Sequence, residues 1–177
     1  SKLNLPETPL LLVEFHGTSD SVEDDAARFT DICEDHSPSP FHWSDNPNER
    51  KKLWKARHDA LWAAYALIPG ATGFATDVCV PISRLADCIE DTITDIEAAG
   101  LTAPIVGHVG DGNFHVLPLA MPDDIDMHHK ISEFSGRLTA RSLKLGGTCT
   151  GEHGIGQGKS IYLRDEMGEA VEIMNDI

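Results

Sequence analysis

His108-Val-Gly-Asp-Gly-Asn-Phe-His115 is the stretch that decides the fold and brings chemistry with it. Asp111-Gly112 is a preferred pair for a two-residue type I′ turn, and β-rich runs flank it, Ile105 to Val109 and Phe114 to Leu119. A turn centred on that pair sets Gly110 against Asn113, Val109 against Phe114, and His108 directly opposite His115. Directly paired residues share one face, with Cβ atoms roughly 4.5–5.5 Å apart. Two imidazoles at that separation can hold one divalent ion such as Zn, Mn or Fe. Ordinary strand histidines beside a tight turn are the plainer reading of the hairpin taken alone.

Outward from the hairpin, strand and helix signals alternate. Pro9 to His16 is β-rich and ends at Gly17, which predicts a strand. Ser19 or Ser21 caps a helix to about His36, with Val22, Ala26, Phe29 and Cys33 at helical spacing. Ser37-Pro-Ser-Pro40 reads as a linker and Phe41-His-Trp43 as a short strand. Asp45 or Asn46 opens a long helix through about Leu67. Gly73 to Pro81 reads as a strand, Ile82 to Ala99 as a helix closed by Gly100, and Asp123 starts a helix of roughly 20 residues that ends at Gly146-Gly147. A last helix starts near Ile161. A hairpin among helices implies a sheet that is at least partly antiparallel, and so an α+β fold.

Lys+Arg total 14 and Asp+Glu total 29 among 177 residues, a net charge of −15. That length suits one domain spanning 1–177. The acidic balance argues against nucleic acid and anionic membrane as partners. No stretch is long enough for a membrane span: the most apolar region, Ala60 to Ala75, is broken by Pro69, Gly70 and Gly73. Cys33, Cys79, Cys88 and Cys149 form no CxxC pair, which disfavours a zinc knuckle and fits reduced thiols. The start carries no targeting signal, and both ends read as cut from something longer.

Thr148-Cys-Thr-Gly-Glu-His153-Gly-Ile-Gly-Gln-Gly-Lys159 sets an acid and a third histidine between glycines. Such a loop permits close backbone approach. Glu152 joining His108 and His115 would complete a two-histidine, one-carboxylate set with open positions for substrate. The alternative is a flexible connector. Gly158-Lys159-Ser160 imitates the end of a P-loop, but His153 stands where that motif needs glycine. The spacing of Gly154, Gly156 and Gly158 does not fit a dinucleotide fingerprint, and no HExxH motif is present.

Together, HVGDGNFH and GTCTGEHGIGQGK resemble the C-terminal part of FAD-linked oxidases of the vanillyl-alcohol oxidase type, in particular the cytochrome-linked D-lactate dehydrogenases. Leu12 to Gly17, Leu53 to His58 and Thr76 to Leu85 support the likeness, which runs over nearly the whole chain. The resemblance implies a ferredoxin-like substrate domain that covers a flavin bound by a separate N-terminal domain. That FAD domain is absent from this sequence, so the chain alone is expected to bind no FAD and to oxidise nothing. By the same resemblance, His108, His115 and Glu152 hold a divalent metal, and His153 takes the hydroxyl proton of a small 2-hydroxy acid. Arg57 binds the substrate carboxylate, and Asn113 contributes to substrate binding or to the turn. A Lys that some relatives acting on longer dicarboxylic hydroxy acids place before the strand Asp is missing from Phe74-Ala-Thr-Asp77, which favours D-lactate. Glycolate or D-2-hydroxyglutarate, and a stand-alone metal-binding module, are the alternatives. The implied electron acceptor is cytochrome c, a quinone or electron-transfer flavoprotein. A homodimer is a further option, and the location is bacterial cytoplasm or, in a eukaryote, the mitochondrion.

Overall fold

A computed structural model describes residues 8–36 and 43–177. They fall into two compact units, one up to Leu61 and one from Trp62 onward.

The first unit is helical. The helix expected after Ser19 is α1 (Ser19–His36), with Ala26 buried and Phe29 meeting Phe15 edge-to-face at 5.8 Å. Residues 9–16 form no strand, contrary to the β-rich reading, and Leu10, Leu11 and Val13 are exposed. With no strand beside it among the described residues, β propensity alone leaves this run without a hydrogen-bond ladder. The candidate strand at 41–43 lies largely outside the described residues. α2 (Pro47–His58) starts at Asn46, whose side chain accepts the Asn48 amide hydrogen bond at 2.9 Å, and Pro47 takes the first turn. The predicted long helix is interrupted at Asp59 and resumes as α3 (Ala60–Tyr65), stopping just short of Leu67. Asp59 keeps right-handed helical angles (φ −79°, ψ −4°).

The second unit carries the sheets. β1 (Thr72–Gly73) and β2 (Val78–Cys79) replace the single strand expected over 73–81, and β3 (Ile105–His108), β4 (Asn113–Val116) and β5 (Leu119–Ala120) follow. Pairing is antiparallel throughout, in the order β2-β4-β3 and, separately, β1-β5. α4 (Ile82–Ala99) is closed by Gly100, and α5 (Ile125–Lys144) is capped by the Asp124 carboxylate on the Met127 amide. The last helix is two pieces, α6 (Ser160–Met167) and α7 (Ala170–Asn175), broken at Gly168. The fold is α+β, as the hairpin implied.

One face of the three-stranded sheet builds the core. Phe114 and Val116 of β4 and Val78 of β2 pack with Leu85 and Cys88 of α4 and with Ile131, Phe134 and Leu138 of α5. Because side chains alternate along a strand, burying Phe114 and Val116 aims Asn113 and His115 at the opposite face. Asp95 of α4 ties the two helices by accepting hydrogen bonds from Arg137 and Arg141 of α5. The four cysteines are free thiols.

Candidate functional site: a histidine-carboxylate cluster over the sheet

The hairpin closes differently from a two-residue turn. Val109–Asp111 form a short 3-10 turn, and His108 pairs with Asn113 while Val106 pairs with His115. The reason is tertiary. β2 reaches the loop, where the Val80 amide donates to the Gly112 carbonyl at 3.0 Å and the Cys79 thiol donates to the Asp111 carbonyl at 3.2 Å. Gly112 is left-handed (φ +76°), and a Cβ there would sit 2.0 Å from the Val80 oxygen, so only glycine fits. The pairing shifts by two residues, an even number, so His108, Asn113 and His115 still share one face. His108 and His115 are diagonal neighbours with ring centroids 6.3 Å apart.

The glycine-rich loop brings Glu152 and His153 to that face. Glu152 Oε1 lies 3.0 Å from His115 Nε2 and 3.6 Å from His153 Nε2. His153 stacks on His115 at 4.9 Å. His115 Nδ1 donates to the Thr76 carbonyl at 3.0 Å, since a carbonyl can only accept. With Nδ1 so directed, Nε2 is the ring nitrogen that faces Glu152. One ligand atom from each of His108, His115 and Glu152 lies within 4.8 Å of the others. The set is partly exposed and mixes imidazole with carboxylate, a chemistry that suits a borderline divalent ion with positions left open. These residues therefore fit a metal.

Asn113 is buried, and its amide donates to Asp77 Oδ1 at 2.8 Å and to the Val78 carbonyl at 3.0 Å. Two acceptors fix the amide's orientation, and Asn113 Oδ1 is left buried without a partner. Arg57 lies on α2 in the first unit, half-buried, and its guanidinium has no ion-pair or hydrogen-bond partner among the described residues. Leu61 and Trp62, four and five residues further on, are exposed. Of the histidines given no role, His58 bonds the Trp54 carbonyl and His128 the Met121 carbonyl.

Sequence reasoning missed Asp77. It is 1% exposed and sits beneath the cluster, with Oδ1 3.6 Å from His115 Nδ1. Burial pushes its carboxyl up, but the amides of His153, Glu152 and Asn113 outweigh burial and hold it well below the usual carboxylate range. Its signal in the sequence is faint: one acid before the β-run Val78-Cys-Val80. Lys159 Nζ donates to the Asp77 carbonyl at 2.7 Å. Burial, with help from Glu166, raises the nearby Cys149 thiol to about 11.

The chain matches one family along residues 1–177 and belongs to it: the C-terminal domain of FAD linked oxidases. Among curated proteins it is 47% identical, over its whole length, to a probable mitochondrial D-lactate dehydrogenase of Danio rerio, covering 36% of that protein. It is 38% identical over 98% of its length to the mitochondrial D-lactate dehydrogenase [cytochrome] of Arabidopsis thaliana, covering 31% of it. It is 31% identical over 92% of its length to the glycolate oxidase subunit GlcD of Bacillus subtilis, covering 35% of it. The chain thus spans about a third of the length of the relatives it matches.

Proposed function

We propose that this chain is the substrate- and metal-binding domain of an FAD-dependent D-2-hydroxy acid dehydrogenase that oxidises D-lactate to pyruvate. The observation that carries the reading is the convergence of His108, His115 and Glu152 on one point, with His153 stacked at its edge. The 47% identity to a probable D-lactate dehydrogenase supports the choice of substrate.

His115 Nε2, a ring nitrogen of His108 and a Glu152 oxygen would hold the divalent ion, and His115 is kept in the required tautomer by the Thr76 carbonyl. Such an ion supplies a Lewis acid that lowers a hydroxyl pKa, and FAD supplies the hydride acceptor. His153 takes the proton of the substrate's 2-hydroxyl as its C2 hydrogen departs as hydride, leaving the ketone of pyruvate. Asn113, whose Oδ1 is buried and unpartnered, joins the substrate-binding set. Arg57 pairs with the substrate carboxylate through its guanidinium fork. The relatives' names support a cytochrome as electron acceptor and a mitochondrial location.

Glycolate is the second reading, favoured by the 31% identity to a glycolate oxidase subunit. The deciding experiment gives the full-length, FAD-loaded protein D-lactate, glycolate and D-2-hydroxyglutarate with an artificial electron acceptor. D-lactate is expected to react fastest. Faster turnover of glycolate selects the second reading, and faster turnover of D-2-hydroxyglutarate overturns both.

A further inference from the structure

Asp77 Oδ2 collects four hydrogen bonds from one loop. Thr150 Oγ1 donates at 3.1 Å, and the amides of Gly151, Glu152 and His153 donate at 2.9, 2.9 and 2.8 Å. Three successive amides aimed at one oxygen form an anion-binding nest, a device usually met with a bound phosphate or carboxylate ligand. Here the occupant is the protein's own carboxylate, delivered from the residue before β2. Two of the pinned amides belong to Glu152 and His153, the loop's chemistry-bearing residues.

Asp77 also lies with His115 and His153 in a group whose donor atoms could hold an ion. Its oxygens are spoken for, however. Oδ2 has four donors, Oδ1 accepts from Asn113, and His115 directs Nδ1 to the Thr76 carbonyl. A carboxylate so saturated has little left to offer a metal. Its geometry serves the loop backbone instead.

We propose that Asp77 is a positioning residue: it folds the Thr150 to His153 peptide so that Glu152 and His153 face His115, and thereby sets the divalent-ion affinity of the cluster. The affinity half rests on the reading of His108, His115 and Glu152 as metal ligands. The loop-ordering half does not.

The test compares wild type, Asp77→Asn and His108→Ala in the full-length protein, after chelation, by ZnCl2 titration and by amide hydrogen exchange. Asp77→Asn is expected to weaken Zn2+ binding about 10- to 100-fold, the usual effect of removing a group that orients ligands. Exchange of a peptide covering 150–153 should speed at least roughly tenfold, as opening of the loop no longer breaks charged hydrogen bonds. A peptide covering 105–116 should exchange as in wild type. Unchanged affinity and unchanged exchange at 150–153 would overturn the proposal. If Asp77→Asn fails to fold, Thr150→Val removes one donor to the same oxygen. Faster exchange at 150–153 then supports the proposal, and unchanged exchange sinks it. Wild type that takes up no Zn2+ overturns the metal reading and the affinity half with it, and exchange alone then decides the ordering half.

Discussion

The imidazole of His153 lies on that of His115 with ring centroids 4.9 Å apart and planes 10° from parallel. The stack brings a proton acceptor from the loop to the edge of a proposed ligand set on the sheet. His115 Nδ1 is committed to the Thr76 carbonyl, whereas no ring nitrogen of His153 is closer than 3.6 Å to Glu152. On the proposed function the two rings divide the work, His115 coordinating and His153 taking a proton.

That division predicts different losses. In the FAD-loaded protein, His153→Gln should lower kcat on D-lactate by about 10²–10⁴-fold, the ordinary worth of a general base. Zn2+ affinity should change far less than with His115→Ala. Steady-state kinetics and metal titration on the same preparations check both. A His153→Gln variant that loses its metal as completely as His115→Ala would make His153 a ligand.

A metal that binds only the folded cluster must stabilise it. At 100 times Kd, a single ion adds about 2.7 kcal/mol. Urea unfolding with and without ZnCl2 should show this gain in wild type, EDTA should reverse it, and His108→Ala should abolish it. His108 is exposed and on the sheet face opposite Phe114, so its substitution should leave the metal-free stability within about 0.5 kcal/mol.

Much of this site was legible because strands have a period of two. His108, Asn113 and His115 stay on one face whether the hairpin turns in two residues or four, so an error in turn length did not move them. Glu152 and His153 stood out between glycines. What stayed hidden depended on contacts between distant segments. The Val80 amide selects the longer turn by bonding to Gly112, and Asp77 meets a nest of amides far along the chain. Neither partner choice leaves a local pattern. The β-rich run at 9–16 failed as a strand for the same reason: propensity does not supply a neighbouring edge.

Gly151 shows how tightly the loop is seated. A Cβ there would lie 1.8 Å from Asn113 Nδ2 and 2.7 Å from Asp77 Oδ1, both on buried groups with no slack. Gly151→Ala should destabilise the protein by about 1–3 kcal/mol, as overpacking does. It should also displace Glu152, so Zn2+ affinity should fall with it. Gly158→Ala in the same loop meets open space and should change neither. Thermal melts and metal titration of the two variants make the comparison.

Away from the site, Asp95 should govern part of the acid sensitivity. Burial raises its carboxyl, but hydrogen bonds from Arg137 and Arg141 outweigh burial and hold it below its ordinary 3.8. A carboxyl depressed in the folded state contributes stability that is complete above its unfolded pKa and is lost as pH falls through the folded one. Wild type should therefore weaken as pH drops below about 5. Asp95→Asn should cost about 1–3 kcal/mol at pH 7, since Arg141 loses a charged partner in a largely buried setting. Its stability should then decline less steeply into acid, with Asp77 and Glu166, also depressed, keeping part of the slope. Urea midpoints at pH 7, 5 and 4 give the two curves. Parallel curves would show that the Asp95 pair between α4 and α5 carries no proton-linked stability.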